Sequence, residues 1–339
     1  MSKKIEILVT LPIPEALIDE ITQISGNLSV TVLPAKESKD IPPERWQDVE
    51  VAYTMHALPA LEQAPKLRWV QSYLSGIEKI RDNPLFDKPD LVLTTLSGAN
   101  SSQVAEHVLT MLLALGHQLP HFLGLQNSKT WMEEKGRKYI PAELRGSTVG
   151  IVGYGSIGRQ VARLVSDFGA TVLGTKRDLM HPEDGEYSAE DMGDPKGTLF
   201  ARLYPPQALR SMLTICDFVV VCVPLTSETR GMLAKEHLAA MKPTAFLVDV
   251  SRGGVVDHAA LIDALSEGQL AGAALDVFSE EPLPQESPLW QMPNVILTPH
   301  VAGFSRHYNQ RANQMFIENL KRYLAGEELL NRVDFERGY

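Results

Sequence analysis

Four polar side chains in the C-terminal half of the chain have types and positions suited to acid–base or ion-pairing chemistry. Arg252, Asp276 and His300 each stand at or just after the end of an apolar segment, and Glu281 lies five residues beyond Asp276. Open α/β sheets bind ligands at the carboxyl ends of their strands, where such residues would converge. Three of them also have an ordinary alternative: a turn residue for Arg252, a solvated acidic loop for Glu281, and a capped histidine for His300.

The glycine-rich segment VGIVGYGSIGR indicates which ligand such a site would take. Gly153, Gly155 and Gly158 form G-x-G-x-x-G between an apolar, strand-like stretch and an amphipathic, helix-like one. In this motif the first glycine permits a tight turn, the second admits a pyrophosphate, and the third lets helix and strand pack closely. The helix beginning near Ser156 and Ile157 offers N–H groups to the anion. The segment predicts a dinucleotide site, with a plain glycine turn as the alternative.

A dinucleotide beside these polar residues suggests hydride transfer to a carbonyl. Reduction of a 2-oxo acid needs a cation for the carboxylate, a proton donor for the carbonyl oxygen, and a group that keeps the donor protonated. Arg252 suits the first task through its bidentate guanidinium. His300 suits the second, and Glu281 suits the third because a nearby carboxylate favours imidazolium.

The residues Thr175-Lys176-Arg177, at the end of the next predicted strand, concern the choice of dinucleotide. An acidic residue about 20 positions after the glycines would accept hydrogen bonds from the ribose 2′-OH of NAD. Two cations instead pair with a 2′-phosphate, so the sequence predicts a preference for NADP(H), with NAD as the alternative. Asp178 follows slightly too late for the acidic role. A solvated basic turn is the ordinary explanation.

Length and composition are those of a globular protein with two domains. The chain has 339 residues, of which 44% are hydrophobic and 22% charged, and its net charge is −10. This length predicts about two domains, and the negative charge argues against nucleic acid as a partner. Neither a membrane span nor a signal-like segment is evident, so we expect a cytoplasmic protein. Cys216 and Cys222 are expected to be reduced thiols, and no metal site is predicted.

Strand-like and helix-like segments alternate along the chain, which predicts parallel α/β sheets. The predicted strands are 5–9, 28–33, 51–53, 67–71, 91–94, 149–152, 171–175, 218–223, 246–250, 271–277 and 295–297. The predicted helices are 14–24, 59–64, 101–115, 157–168, 235–241 and 259–266, with a last one inside 300–325. We expect 126–144 to be an extended connector and 181–197 a solvent-exposed excursion without chemistry.

A polar turn in the first half of the chain, Leu74-Ser75-Gly76, follows the strand predicted at 67–71. Backbone N–H groups in such a turn can form a small anion-binding nest. A simple connecting loop is the alternative. No second glycine motif occurs in this half, so it is a poor candidate for the cofactor.

At these residues the chain resembles the D-isomer-specific 2-hydroxyacid dehydrogenase family, and in particular its glyoxylate and hydroxypyruvate reductase branch. The matching segments follow the family's order and spacing. They are VGIVGYGSIGR (149–159), CVPLTSETRGML (222–233), MKPTAFLVDVSRGGVVD (241–257), GAALDVFSEEPLP (272–284) and NVILTPHVAG (294–303).

The resemblance implies a role for each site residue. Arg252, Glu281 and His300 would be catalytic, and Asp276 would hold the nicotinamide carboxamide. Substrate would be bound by Leu74, Ser75 and Gly76 through backbone N–H groups, together with Arg252 and His300. The implied cofactor-binding residues are Gly153, Gly155, Ser156, Ile157, Gly158, Thr175, Lys176, Arg177, Val223, Pro224, Thr229, Val250, Ser251, Asp276 and His300.

The resemblance also implies an architecture of two Rossmann-like or flavodoxin-like domains with doubly wound parallel sheets. The substrate-binding domain would be discontinuous, formed by 1–100 and 301–339, with the NAD(P)-binding domain, 101–300, inserted between. Catalysis would occur in the cleft as the domains close. The family implies a homodimer paired through the cofactor domains, and the predicted helix 101–115 fits that interface.

These expectations amount to an NADPH-preferring enzyme that reduces a 2-oxo acid to the D-2-hydroxy acid, with His300 as the acid. A phosphite dehydrogenase with a similar catalytic set is one alternative, and a corepressor-like protein that senses NAD(P)H without turnover is another. Formate dehydrogenases of the family carry Gln where Glu281 stands, so formate oxidation is disfavoured. Members of the family that use phosphoglycerate place an arginine around the position of Tyr53, and this chain has none there. A phosphorylated substrate is therefore disfavoured.

Overall fold

The chain folds into two units, and the second is inserted into the sequence of the first. A computed structural model describes residues 4–133, 139–183 and 192–338. Unit 1 comprises Met1–Ala99 and Arg306–Tyr339, and unit 2 comprises Asn100–Ser305.

Unit 1 is built on a parallel sheet of five strands in the order β2-β1-β3-β4-β5. This is the flavodoxin-like order. The strands are β1 (Ile5–Val9), β2 (Leu28–Val32), β3 (Val49–Thr54), β4 (Trp69–Ser72) and β5 (Val92–Thr94), and the unit's α-helices are α1 (Glu15–Ile24) and α8 (Tyr308–Ala325).

The C-terminal helix α8 completes the hydrophobic core of unit 1. Its Phe316 is fully buried and stacks on Tyr53 of β3 with 4.5 Å between ring centroids, and on Trp69 of β4 at 5.5 Å. Large aromatic side chains supply much of the apolar area that a core buries. The chain therefore returns to unit 1 because this helix covers one face of its sheet.

Unit 2 is built on a parallel sheet of seven strands in the order β12-β11-β10-β9-β6-β7-β8. The strand order reverses between β6 and β9, which is the topological switch point where such sheets bind ligands. The predicted fold class, two α/β domains with parallel sheets, is confirmed. The strands are β6 (Thr148–Val152), β7 (Thr171–Thr175), β8 (Arg202–Tyr204), β9 (Phe218–Val221), β10 (Phe246–Asp249), β11 (Gly272–Leu275) and β12 (Val295–Leu297).

The described helices of unit 2 cover both faces of this sheet, with one hydrophobic cluster on each. They are α2 (Ser101–Gly116), α3 (Leu119–Asn127), α4 (Ser156–Asp167), α5 (Leu209–Leu213), α6 (Lys235–Leu238) and α7 (His258–Ser266). Both cysteines are free thiols, and Cys216 is buried.

Several local predictions differ from the structure. The helix expected at 59–64 is only a short 3-10 turn, Leu61–Gln63. Helix α3 reaches into the connector expected at 126–144, and the sequence did not indicate it because α3 buries none of its residues. Strand β8 and helix α5 were also missed; they have only three and five residues, too short for a clear periodic signal.

Helix α3 and the segment after it expose large apolar side chains. Leu119 and Leu123 are 47% and 49% exposed, and Trp131 beyond the helix is 76% exposed. In the part of the chain that the structure describes, no single helix is long and apolar enough to cross a membrane. Helices α2 and α3 reach that length and composition only when taken together, across a bend of 66°.

The excursion at 181–197 is only partly outside the core, so the prediction of a solvent-exposed excursion is wrong for Asp194. Asp194 is 3% exposed and accepts hydrogen bonds from Tyr154 Oη (2.7 Å) and from Leu199 N (3.0 Å). The buried guanidinium of Arg159, on α4, donates to the carbonyls of Asp194 and Pro182. The buried Arg159 requires acceptors, and the loop ends supply them. Residues 184–191 lie outside the described residues.

Candidate functional site

The glycine turn after β6 has the geometry that a dinucleotide needs. Gly153 has φ = 107°, which an L-residue adopts only with strain. A Cβ on Gly158 would lie 2.2 Å from the carbonyl oxygen of Gly153, so only glycine lets α4 begin this close to β6. A Cβ on Gly155 would meet nothing within 4 Å, which leaves open space in front of Ser156 and Ile157 at the start of α4. The residues present fit a pyrophosphate here.

The two strands beside β6 support this turn. Thr175, at the end of β7, is buried; its Oγ1 accepts a hydrogen bond from Gly153 N at 3.0 Å. On the other side, Val223 Cγ1 would lie 2.8 Å from a Cβ on Gly153. Thr229 Oγ1 donates to the carbonyl of Pro224 at 2.6 Å, which closes the loop after β9. Thr175 thus shapes the glycine turn, and Thr229 the neighbouring loop after β9, through hydrogen bonds within the protein.

The two cations after β7 have partners within the protein. Lys176 Nζ donates to the carbonyls of His181 and Glu183. Arg177 Nη1 lies 3.1 Å from Glu228 Oε2, and the Arg177 side chain is 44% exposed. Asp178 accepts from His181 Nδ1 at 2.8 Å. This pairing lowers the pKa of Asp178, mainly through the hydrogen bond with His181.

His300 and Glu281 form a hydrogen-bonded pair. Their Nδ1 and Oε2 atoms are 2.8 Å apart, and Glu281 Oε1 accepts from Phe278 N at 3.0 Å. Burial acts to raise the pKa of Glu281, but the hydrogen bonds from His300 and Phe278, with the charges of His300 and Arg252, lower it overall. Glu281 is therefore a carboxylate at neutral pH. Nδ1 faces Glu281, which leaves Nε2 as the ring nitrogen for a substrate.

Close backbone packing holds the loop of Arg252 against the turn of Glu281. A Cβ on Gly253 would lie 1.8 Å from the carbonyl oxygen of Phe278, so the glycine is required for this approach. Arg252 is half-buried, and its Nη1 donates to the carbonyl of Ser251 at 2.8 Å. The structure thus brings Arg252, Glu281 and His300 to neighbouring loops of unit 2.

Asp276, at the end of β11, holds the loop that carries His300. Its Oδ1 accepts from Thr298 Oγ1 (2.6 Å) and Val301 N (2.9 Å), and its Oδ2 accepts from Ala302 N (2.9 Å). His300 lies between these anchored residues with φ = 54°, a left-handed conformation that costs on the order of 1 kcal/mol for a non-glycine residue. The side chain predicted to bind the nicotinamide carboxamide therefore has a structural role as well.

Sequence reasoning missed two residues of this network, Thr298 and His107. His107 Nε2, on α2, lies 3.3 Å from Thr298 Oγ1. Burial lowers the pKa of His107, opposed by the charge of Asp276. Sequence reasoning gave His107 no role in the site; only its place on the apolar-rich helix α2, beside the buried Val108, could have indicated one.

Val250 and Ser251, predicted to bind the cofactor, directly follow Asp249, a residue with a buried carboxyl group. Val250 N donates to the carbonyl of Val221 at 3.0 Å. Ser251 donates to Asp249 Oδ1 from its N (3.0 Å) and Oγ (2.5 Å). Asp249 is fully buried, and its Oδ2 has no hydrogen-bond partner among the described residues. Burial raises the pKa of Asp249 to about 7, and the charge of Asp276 adds to the rise.

In unit 1, the predicted substrate turn follows β4. Leu74 N donates to Ser72 Oγ at 3.1 Å, so this N–H already has an acceptor. Among the described residues, the N–H groups of Ser75 and Gly76 have none. Tyr308, the first residue of α8, donates from Oη to the carbonyl of Tyr73 at 3.0 Å and thereby supports the turn. The sequence did not predict this role for Tyr308.

A glycine turn at a topological switch point and a hydrogen-bonded His–Glu pair in the same unit are the features of a dinucleotide-binding domain of an oxidoreductase. Residues 109–302 match the family model of the D-isomer specific 2-hydroxyacid dehydrogenase NAD binding domain. The chain belongs to that family and is an NAD(P)-dependent oxidoreductase. The family predicted from the sequence is confirmed.

Curated relatives cover almost the whole chain. A glyoxylate reductase of Pyrococcus furiosus is 34% identical over 96% of this chain and 94% of its own length. A glyoxylate reductase of Korarchaeum cryptofilum is also 34% identical, over 98% of this chain and 97% of its own length.

Solved structures are similar over the full length as well. A D-isomer specific 2-hydroxyacid dehydrogenase from Xanthobacter autotrophicus Py2, in complex with NADPH and MES, is 30% identical with a TM-score of 0.80 and full coverage of both chains. An NADPH-dependent glyoxylate/hydroxypyruvate reductase from Sinorhizobium meliloti, in complex with NADP and sulfate, is 27% identical with a TM-score of 0.77; it covers 99% of this chain and 100% of its own.

Proposed function

We propose that this enzyme reduces a small 2-oxo acid, of the glyoxylate or hydroxypyruvate type, to the D-2-hydroxy acid, with a preference for NADPH. The observation that carries the proposal is the 2.8 Å contact between His300 Nδ1 and Glu281 Oε2, on a loop braced by Asp276. The Pyrococcus and Korarchaeum glyoxylate reductases, each 34% identical, support this substrate class.

In the proposed reaction, each protein group has a separate task. Arg252 binds the carboxylate of the 2-oxo acid through its guanidinium. The N–H groups of Ser75 and Gly76 in unit 1 are proposed as donors to an anionic group of the substrate. His300 Nε2 protonates the carbonyl oxygen as it becomes a hydroxyl, and Glu281 holds the imidazolium by accepting from Nδ1. When bound, the reduced nicotinamide supplies the hydride that C2 receives.

The proposed preference for NADPH rests on Lys176 and Arg177. Both stand directly after β7, where the adenosine ribose of a dinucleotide on the glycine turn would lie. The Xanthobacter and Sinorhizobium proteins were solved with NADPH and NADP, which supports the same cofactor here. NAD remains the alternative because both cations also have partners within the protein.

The test is the initial rate of NADPH oxidation with glyoxylate, compared with NADH at equal concentration. We expect a rate at least about tenfold higher with NADPH, equivalent to roughly 1.4 kcal/mol. A preference for NADH would contradict the role of Lys176 and Arg177 but not that of His300. Binding of NADPH without turnover on glyoxylate, hydroxypyruvate or a wider panel of 2-oxo acids would favour the sensor function instead.

We also propose that the enzyme is a homodimer paired through its cofactor domains, at a face that includes α2. The exposed apolar side chains of Leu119, Leu123 and Trp131 support this proposal, since large exposed apolar patches mark interaction sites. Light scattering of the purified protein measures its mass directly, and a monomer at micromolar concentration would contradict the proposal. A cytoplasmic location and the lack of a nucleic-acid partner stay predictions from the sequence.

A further inference from the structure

Two loops stand on either side of the glycine turn in unit 2. Strand β6 lies between β7 and β9 in the sheet, so the segments that follow those two strands flank the turn that follows β6. The segment after β7 carries Arg177, and the loop after β9 carries Glu228. A dinucleotide that binds on the glycine turn passes close to both.

An ion pair joins the two loops across the end of β6. Arg177 Nη1 lies 3.1 Å from Glu228 Oε2, and the two side chains are 44% and 69% exposed. Ion pairs this exposed contribute little to stability and are readily exchanged for another partner. Arg177 can therefore leave Glu228 and bind a more highly charged anion instead.

The main chain that carries Glu228 is well braced. Thr229 Oγ1 donates to the carbonyl of Pro224 (2.6 Å) and accepts from Thr226 N (2.8 Å), while Arg230 N donates to the carbonyl of Thr226 (3.0 Å). The carboxylate of Glu228 is thus kept near Arg177 by a fixed loop. A phosphate that approached Arg177 would meet that carboxylate.

We propose that Glu228 is a specificity-determining residue: its carboxylate competes with the 2′-phosphate of NADPH for Arg177 and thereby limits the preference for NADPH over NADH. This inference rests on the proposed role of Arg177 as a ligand of the 2′-phosphate. A phosphate of about two negative charges displaces the carboxylate from Arg177 but is repelled by it. NADH carries a hydroxyl at that position and is not subject to this competition.

The test measures dissociation constants by fluorescence titration of NADPH and NADH, without substrate, for the wild type and for E228Q, R177A and the double variant. We expect E228Q to tighten NADPH binding about two- to fivefold and to change NADH binding by less. In the R177A background, E228Q should tighten NADPH binding by a clearly smaller factor, because the competition for Arg177 is gone and only the direct repulsion between carboxylate and phosphate is removed. Raising the salt concentration should reduce the gain, because exposed charges are screened.

A matched control separates the local effect from the change in net charge. E267Q removes the same charge from an exposed residue just after α7 and should leave both dissociation constants unchanged. Equal tightening by E228Q and E267Q would overturn the proposal. Tightening of NADPH and NADH to the same extent by E228Q would do so as well.

The experiment also distinguishes failure of this inference from failure of the proposed cofactor preference. If R177A weakens NADPH but E228Q changes nothing, Arg177 binds the phosphate and Glu228 does not compete for it. If R177A leaves NADPH binding unchanged, the proposed role of Arg177 is wrong, and this inference falls with it.

Discussion

The segments that carry the proposed acid–base residues and the proposed cofactor-selecting cations are built differently, although both lie in unit 2. His300 stands in a loop whose backbone is held by the buried carboxylate of Asp276. Arg177 stands on an exposed loop and is held by another exposed side chain, Glu228. Buried hydrogen bonds to a charged group are strong and geometrically exacting, whereas exposed ion pairs are weak.

The difference indicates how each function can change. A residue that moves a proton must be held within tenths of an ångström. The loop of His300 is accordingly held by Asp276, which stands at the end of β11 in the sheet. Selection of a phosphate depends mainly on the sum of nearby charges, so small movements of the charged side chains change it little. We therefore expect substitutions around His300 to have large effects and substitutions around Arg177 to adjust the enzyme in small steps.

The largest effect is expected from H300A. Removing the proposed proton donor should lower kcat by about 10²- to 10⁴-fold, while the dissociation constant of NADPH stays within about twofold. Steady-state kinetics and a fluorescence titration measure the two quantities. H121A, at an exposed histidine of α3, is the matched control. A kcat above a tenth of the wild-type value would remove His300 from the mechanism.

A pair of glycine substitutions separates folding from cofactor binding at the turn. G158A places a Cβ 2.2 Å from the carbonyl of Gly153 and should lower the free energy of unfolding by about 3 kcal/mol. G155A meets nothing within 4 Å, so its stability should stay within about 0.5 kcal/mol of the wild type. Its affinity for NADPH should nevertheless fall at least about tenfold, because the new methyl group occupies the space for the pyrophosphate.

Urea unfolding and NADPH titration of both glycine variants test this distinction. G155A serves as the control for G158A, since both make the same chemical change three residues apart. An unchanged NADPH affinity in G155A would show that the pyrophosphate does not lie against this turn.

The support beneath His300 is tested by D276A. This variant leaves the N–H groups of Val301 and Ala302 without their acceptor, so the free energy of unfolding should fall by about 2 to 3 kcal/mol. Because the same loop carries His300, kcat should fall as well. T298V is the milder comparison because it removes one donor and keeps the carboxylate. If kcat of D276A stayed at the wild-type value despite the lost stability, the loop would not depend on Asp276 for its catalytic geometry.

The sequence predicted those parts of the molecule whose signals are local. The glycine motif stands between a β-branched strand and an amphipathic helix, so both the turn and the sheet around it followed from short-range patterns. Elements without such patterns were missed. Strand β8 has three residues, and helix α3 buries none of its side chains, so no periodicity marked either.

What the sequence could not predict were partners far apart in the chain. Arg177 and Glu228 are separated by 51 residues, and Thr298 and His107 by 191. The first contact depends on the strand order, which places the ends of β7 and β9 on either side of β6. The second depends on the packing of α2 near the end of β12. The polar residue types were visible in the sequence, but which of them support the others became apparent only in the fold.

The smallest effect, and the one most sensitive to pH, is expected at Asp249. This carboxyl group is fully buried beside Ser251, and burial raises its pKa to about 7. The folded protein therefore holds a proton that the unfolded chain releases near pH 4, and stability falls as the pH rises from about 4 to about 7. D249N removes that penalty, so its free energy of unfolding relative to the wild type should rise between pH 5 and pH 8 by on the order of 2 kcal/mol.

Urea unfolding at both pH values measures this change, and the comparison within each variant cancels the effect of the amide itself. D263N makes the same substitution on the exposed side of α7 and should show no such pH dependence. A D249N protein whose stability relative to the wild type is equal at pH 5 and pH 8 would mean that Asp249 is ionised in the folded state across that range. Its buried Oδ2 would then need a hydrogen-bond donor, such as an ordered water, to stabilise the charge.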